Sequence, residues 1–482
     1  MTLTQAWAAH WRADPDRVAL VDAVHGTTWT RARLAGQSAV FAAALEGRGV
    51  RPGDRVLLSC SASVETVVAY VGILRLGAVV VPANTGYTRA ELEHIVGDVR
   101  PRIAVVDAGD ERMPALPTEP LTPALTRDTS LDVSAADAVA ERLDLADDDA
   151  LAMIAFTSGT TGRPKGAMLT RGNLRAGADS LVTAWEWTAD DRLVHALPMF
   201  HMHGLGAAIN GSLSAGASMV VLPHFDAGAV VDAVHAYDAT LLFGVPTMYA
   251  RLRDSGRLPE LAHLRLLVSG SAPLDPVLFQ AVAAQAGQAP VERYGMSETV
   301  MLASNPVRGE RRAGSVGLPL PGVDVRLGDA GAVEVRGPNV FGGYWERPDA
   351  TAAAFTDDGW FRTGDIGERD DDGYLRLVGR ASDLIITGGY NVYPREVEDA
   401  VLEHPDVVDA AVVGVPDDVW GERVVAVVVL RDGARLDADA LDAHLVTRVA
   451  AYKRPRSWSA VDALPRNAMG KVRRDVLRDE HL

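Results

Sequence analysis

The sequence predicts an α/β protein: a large N-terminal domain in which helices and strands alternate, followed by a smaller α+β domain. Three observations carry that expectation. The first 80 residues swing between amphipathic and short apolar runs, buried-looking strands further on end directly at glycine-rich or charged turns, and the rhythm changes past about residue 380.

In order, an amphipathic run over 30–46 predicts a helix, and a Gly-Val-Arg-Pro-Gly-Asp turn leads into a strand over 55–60. A helix over 64–75 and a strand over 78–81 follow, and the rhythm continues through strands such as 265–269 and the stretch around Val291. Beyond the junction GRASD at 379–383, Pro394 opens a helix to about residue 403. Strands are expected over 411–415 and 424–430, and a last helix over 438–449. The expected domains are therefore 1–380 and 381–482. There is no internal repeat and no long low-complexity tract.

The 482 residues, 48% apolar and 23% charged, suffice for several cores. A net charge of −17 argues against nucleic acid as the main partner, because phosphate-backbone binding needs a concentrated basic surface. Small polyphosphates remain compatible, since backbone amides and one or two lysines can hold them locally. No apolar run is long enough for a membrane helix, and the N-terminus lacks the pattern of a secretory signal, so a cytoplasmic location without a membrane partner is expected. The one cysteine, Cys60, excludes an intrachain disulfide and a cysteine-based zinc site; a buried thiol is expected.

The segment TSGTTGRPKG, Thr157 to Gly166, packs small hydroxyl residues and three glycines around Lys165. Such a loop can wrap phosphate oxygens with backbone N–H groups, hydroxyls and a cation. A Walker A match starting at Gly159 would need glycine at 164 and serine or threonine at 166, where the chain has Pro164 and Gly166. A P-loop NTPase is excluded at two positions.

Further segments follow in order: PMFHMHG at 198–204, SGSAP at 269–273, YGMSE at 294–298, GYW around Tyr344, TGD at 363–365, GRASDLIITGGYNVYPREVE at 379–398 and PRNAMGK at 465–471. Together with TSGTTGRPKG they resemble the adenylate-forming superfamily of acyl-CoA synthetases, peptide-synthetase adenylation domains and luciferases. The resemblance covers the chain from about residue 150 to its end. It implies a multi-layer N-terminal domain, a mobile C-terminal domain, and ATP, Mg²⁺ and CoA as reactants and cofactor.

It also implies roles that suit the residue chemistry. Thr157, Ser158, Gly159, Thr160, Thr161, Gly162 and Lys165 would hold the phosphates, with Lys165 also catalytic. Glu298 with Thr157 would hold Mg²⁺. Ser271, Ala272, Pro273, Glu292, Tyr294, Gly295 and Ser297 would form the nucleotide slot, Ser297 keeping the hydroxyl of the threonine common in relatives. Asp365, an acceptor with two oxygens, would take the ribose hydroxyls beside Arg380. Taken alone, Lys471 would be a solvated charge; in PRNAMGK it resembles the lysine that serves the first half-reaction. Gly388 and Gly389 would line the CoA tunnel, and Ser382 stands at the hinge where relatives carry aspartate or lysine.

The acid is read at Arg293. A buried guanidinium facing an acyl pocket would be left unpaired by a simple fatty acid, whereas a second carboxylate could pair with it. The contexts VERYGMSETVMLASNP, LPMFHMHGL and LVSGSAPL are similar to malonyl-CoA synthetases, so malonate is expected, with methylmalonate its nearest competitor. His201, His203, Ser269 and Met301 are pocket candidates. The alternatives are an internal ion pair for Arg293, a packing role for His201, a ligase for a monocarboxylic acid, and an enzyme that loads a carrier protein. No carrier-like segment is fused, and no obligate protein partner is evident.

Overall fold

The computed structural model describes residues 1–124, 141–157, 164–467 and 471–481. The architecture is mixed α/β, with a large N-terminal unit and a smaller C-terminal one, and its described strands form four sheets.

The nine-stranded sheet has a parallel centre: Arg192–His195, Ser218–Val221, Leu241–Gly244, Leu266–Ser269 and Val291–Tyr294. The four residues of each of the last three are all buried, as expected of parallel strands covered on both faces. Ligands gather beyond the carboxyl ends of such strands, and here those ends deliver Gly244, Ser269 and the pair Arg293–Tyr294 to one place.

A five-stranded sheet is built from Arg55–Ser59, Val79–Pro82, Ile103–Val106, Leu151–Thr157 and Lys165–Thr170. Leu151–Thr157 pairs antiparallel with Lys165–Thr170, placing Thr157 opposite Lys165 at the hairpin's end. The helix Val64–Arg75 starts at Ser63, whose hydroxyl accepts from the Thr66 N–H. It is buried on nearly every face because it runs between layers, and so shows no polar stripe.

A four-stranded antiparallel sheet, Asp324–Leu327, Ala332–Arg336, Phe361–Arg369 and Leu375–Arg380, sets Asp365 directly across from Arg380. A short turn of helix at Ala381–Asp383 leads on from this sheet toward the smaller C-terminal unit. That unit has its own core, including Val397, Val401, Val412, Val424, Val428 and Leu445.

The expected elements are present with shifted ends. The strand expected over 411–415 runs from Val407 to Asp417, because its valines pair along the whole of Gly421–Leu430. The helix expected to reach 449 stops at Leu445: the Val446 and Val449 carbonyls accept from the Arg454 guanidinium instead of from a further helical turn. Cys60 is buried, donating to the Val105 carbonyl at 3.2 Å, and burial pushes its thiol pKa far up. Among the described residues no helix is long and apolar enough to cross a membrane.

Candidate active site

Two groups of side chains face each other beyond the carboxyl ends of the parallel strands. The first holds its polar atoms in contact with one another. Buried Asp365 accepts from the Tyr294 hydroxyl, and its other oxygen lies 2.8 Å from Arg380 Nε. The Tyr344 hydroxyl donates to Glu298 at 2.9 Å, and Lys165 Nζ lies 4.8 Å from the Tyr344 ring centre. Arg380 is thus ion-paired with Asp365, the other residue expected at the ribose.

The charges are balanced locally. Burial raises the pKa values of Asp365 and Glu298 above the usual carboxylate range, and the nearby cations only partly offset it. Burial also works against the charge of Arg380, but Asp365, Tyr294 and Glu298 outweigh it and hold the guanidinium above its ordinary value. Lys471 is exposed to solvent, yet it lies close enough to these charged groups to feel them. Burial and Arg380 lower its pKa, while Asp365 and Glu298 pull it back. The last segment of the chain thus brings its lysine within electrostatic reach of these residues.

The second group is different. Arg293 is buried, its Nη2 donates to Ser271 Oγ at 3.4 Å, and its Nε has no partner. The ion pair with Glu292 that sequence allows is not formed: the Glu292 Oε1 accepts from the Leu274 N–H at 3.0 Å, bracing the SGSAP loop from behind. Burial lowers the Arg293 pKa to about 9 and raises that of Glu292 to about 8. Ser271 holds φ +71, a left-handed conformation rare outside glycine, and its hydroxyl meets His203 Nδ1 at 3.2 Å.

His203 stacks on Phe243 with ring centres 6.2 Å apart, and its Nε2 is buried without a partner, as is Ser269 Oγ. Burial, reinforced by Arg293, keeps His203 neutral. Burial with Lys471 and Arg293 takes His201 down to about 3, and burial alone takes His195 to about 4. The positive charge on this side therefore belongs to arginine and lysine, not imidazole. Met301 is buried beside Gly295, where a Cβ would come within 2.8 Å of the Met301 Cα.

A cleft of about 310 Å³ opens here, lined by His201, His203, Ser271, Val245 and Met248, with Arg251 and Arg466 on its lining as well. Ser297 and His201 border a smaller cavity of about 20 Å³.

Ser158, Gly159, Thr160, Thr161 and Gly162 fall outside the described residues; Thr157 and Lys165 are described. Gly388 and Gly389 sit exposed on the hairpin Ile385–Thr387 and Tyr390–Val392, with Trp420 over Gly388, and neither lines the cleft. Ser382 Oγ contacts the Asp383 carboxylate at 3.2 Å.

Sequence reasoning missed Gly270, Phe243 and His195. Gly270 is explained by geometry: a Cβ there would lie 2.5 Å from Arg293 Cζ, so the guanidinium passes where a side chain would be. The glycine inside SGSAP was the available signal; Phe243 and His195 had none.

The profile described as AMP-binding enzyme matches residues 7–345, and that of the AMP-binding enzyme C-terminal domain matches 396–471. A feruloyl-CoA synthase of Amycolatopsis sp is 39% identical over 94% of this chain and 94% of its own. The ATP-bound crystal structure of MatB from Rhodopseudomonas palustris is 41% identical, covering 100% of this chain and 99% of that one, with a TM-score of 0.91. A malonyl-CoA ligase in a ternary product complex with methylmalonyl-CoA and AMP is 42% identical over 94% of this chain and 97% of that one, with a TM-score of 0.66.

Proposed function

The chain belongs to the AMP-binding enzyme family and is an AMP-forming acid–CoA ligase, and from that premise we propose that its acid is malonate or a close relative such as methylmalonate. The observation that carries the choice is Arg293: a buried guanidinium with an unpartnered Nε, donating to Ser271, which lines the cleft together with His203. An unpaired buried charge costs several kcal/mol, and a ligand carboxylate is the group that offsets it. The relative named as a malonyl-CoA ligase supports this reading.

In the first half-reaction one carboxylate oxygen of the acid attacks the α-phosphorus of ATP, the bond to the bridging β-oxygen breaks, and diphosphate leaves. Lys471 neutralises the charge that builds between carboxylate and α-phosphate, Lys165 that on the leaving phosphates, and Asp365 with Arg380 fixes the ribose. In the second, the CoA sulfur attacks the acyl carbon, AMP leaves, and the thiol proton passes to solvent.

Glu298 and Thr157 would hold Mg²⁺, which would screen the phosphate charges. The donor set fits that ion: a carboxylate and a hydroxyl are oxygen donors, and Mg²⁺ is commonly held by one or two carboxylates plus substrate phosphates.

Lys471 lies near the nucleotide residues while Gly388 and Gly389 face away from the cleft, which supports reading this arrangement as the one for adenylation. The TM-scores agree in direction: at nearly equal identity, the ATP-bound relative superposes at 0.91 and the CoA product complex at 0.66. The C-terminal unit must then turn about Ser382 to bring its glycine hairpin to the pantetheine arm.

One other reading keeps specific support: the feruloyl-CoA synthase relative favours a monocarboxylic acid. Incubation with ATP, Mg²⁺, malonate and CoA, followed by mass spectrometry, tests the proposal. Malonyl-CoA with stoichiometric AMP is expected; an adenylate that accumulates without thioester, or turnover of ferulate in preference to malonate, contradicts it.

A further inference from the structure

The helix Pro394–Leu402 of the C-terminal unit packs against the strand Leu375–Arg380 of the N-terminal unit, and one carboxylate joins them. Asp399 lies 3.5 Å from Arg376 on that strand and 2.7 Å from Arg395 one turn back on its own helix. Its side chain is 20% exposed and that of Arg376 51%, so solvent screens the pair from the arginine's side. The other charges that face it are Glu398 on the same helix and Asp275 on the N-terminal unit, both acidic. The nearby Glu292 carboxyl of the N-terminal unit also feels the charges of Arg395 and Asp399. Arg376 is thus the N-terminal cation that meets Asp399 across the interface.

A second linkage runs within the C-terminal unit. Arg474, three residues after Lys471, lies 2.6 Å from Glu398 and 3.6 Å from Asp383 beside the hinge. Glu398 neighbours Asp399 on the helix, so the segment that carries Lys471 is tied to the helix that Asp399 fixes against the N-terminal unit. Gly388 and Gly389 belong to the same unit but face solvent in this arrangement. Whatever holds the helix on Arg376 therefore favours Lys471 at the site over the glycine hairpin.

We propose that Asp399 is a positioning residue: its pairing with Arg376 latches the C-terminal unit in the arrangement that serves adenylation, and release of that pair is part of the passage to thioester formation. The inference rests on the two-step reading given under Proposed function. It concerns the balance between two arrangements, so the expected signature is a shift in the ratio of the half-reactions and not a loss of both.

Two variants test it, Asp399→Asn and Arg376→Gln, each singly and combined. Each single variant is expected to slow malonate-dependent pyrophosphate–ATP exchange about twofold to fivefold, the range of a half-exposed ion pair, while CoA consumes presynthesised acyl-adenylate at least as fast as in the wild type. The double variant should be no slower than Asp399→Asn alone, because that change already removes the pairing with Arg376. Asp399→Glu should restore most of the exchange rate.

A distance measurement gives a readout independent of activity. Spin labels on cysteines introduced at exposed Val277 and Leu436 report the separation of the two units, and buried Cys60 does not compete for label. With ATP present, Asp399→Asn should shift the distance distribution away from the wild-type one. An unchanged distribution, or an equal fall of both half-reactions, overturns the latch. Absence of exchange in the wild type with every acid would instead overturn the functional reading, and the distance measurement would still decide the latch.

Discussion

The nucleotide side and the acyl side of the cleft are built from neighbouring residues of the same strands, yet they satisfy their polar atoms in opposite ways. On the nucleotide side Asp365 bonds to both Tyr294 and Arg380, and Glu298 bonds to Tyr344. On the acyl side Arg293, His203 and Ser269 each keep a buried atom without a partner. A self-bonded group is organised before its ligand arrives and can serve any acid that is adenylated. An incomplete group is finished by its ligand, and so can distinguish one acid from another.

The strongest way to break this comparison is to remove the charge common to both sides. Lys471→Ala should reduce pyrophosphate–ATP exchange by about 10²-fold or more, while leaving reaction of a supplied acyl-adenylate with CoA nearly intact. If both steps fell equally, Lys471 would be supporting the fold and not the first half-reaction.

Next, Arg293→Met should lower kcat/KM for malonate by about 10²-fold, as expected for truncating one partner of a buried charge pair, and should improve a monocarboxylate of similar size. KM for ATP should hardly change, since Arg293 lies outside the self-bonded group. A parallel loss for ATP would erase the distinction between the two sides.

A subtler change is Gly270→Ala, whose Cβ would lie 2.5 Å from Arg293 Cζ. Displacing the guanidinium should raise KM for malonate on the order of tenfold, with the fold and the ATP parameters preserved. Steady-state kinetics with each substrate varied in turn separates these outcomes.

The smallest effect concerns Glu292, behind the SGSAP loop. Burial raises its pKa to about 8, so the unfolded chain ionises first, near the ordinary carboxylate value. The stability it contributes is fully present below that ordinary value and is lost as pH rises through about 8. Glu292→Gln retains the acceptor for the Leu274 N–H but cannot ionise. Its melting temperature relative to wild type should therefore rise between pH 5 and pH 8, and a constant difference across that window would remove this account.

Much of the fold was legible because periodicity reports burial: the helix Val64–Arg75 and the strand beginning at Arg55 fall where their apolar runs place them. Element ends were less legible where long-range partners decide them, as with Arg454 capping the chain after Leu445. Within the site, Glu298, Asp365 and Arg380 announced themselves through motifs, and Arg293 through its place immediately before Tyr294. Phe243 could not be seen, since a buried phenylalanine in a strand reads as core until His203 is found stacked on it. Gly270 needed the path of a side chain more than twenty residues away, and no local pattern encodes that path.

The central claim is that Arg293 reads a second carboxylate, and the most direct measurement is the ratio of kcat/KM for malonate to that for ferulate and for propionate, in wild type and in Arg293→Met. The account predicts a strong preference for malonate in the wild type that collapses or reverses in the variant. A wild-type preference for either monocarboxylate, or a malonate preference that survives loss of the guanidinium, would contradict it.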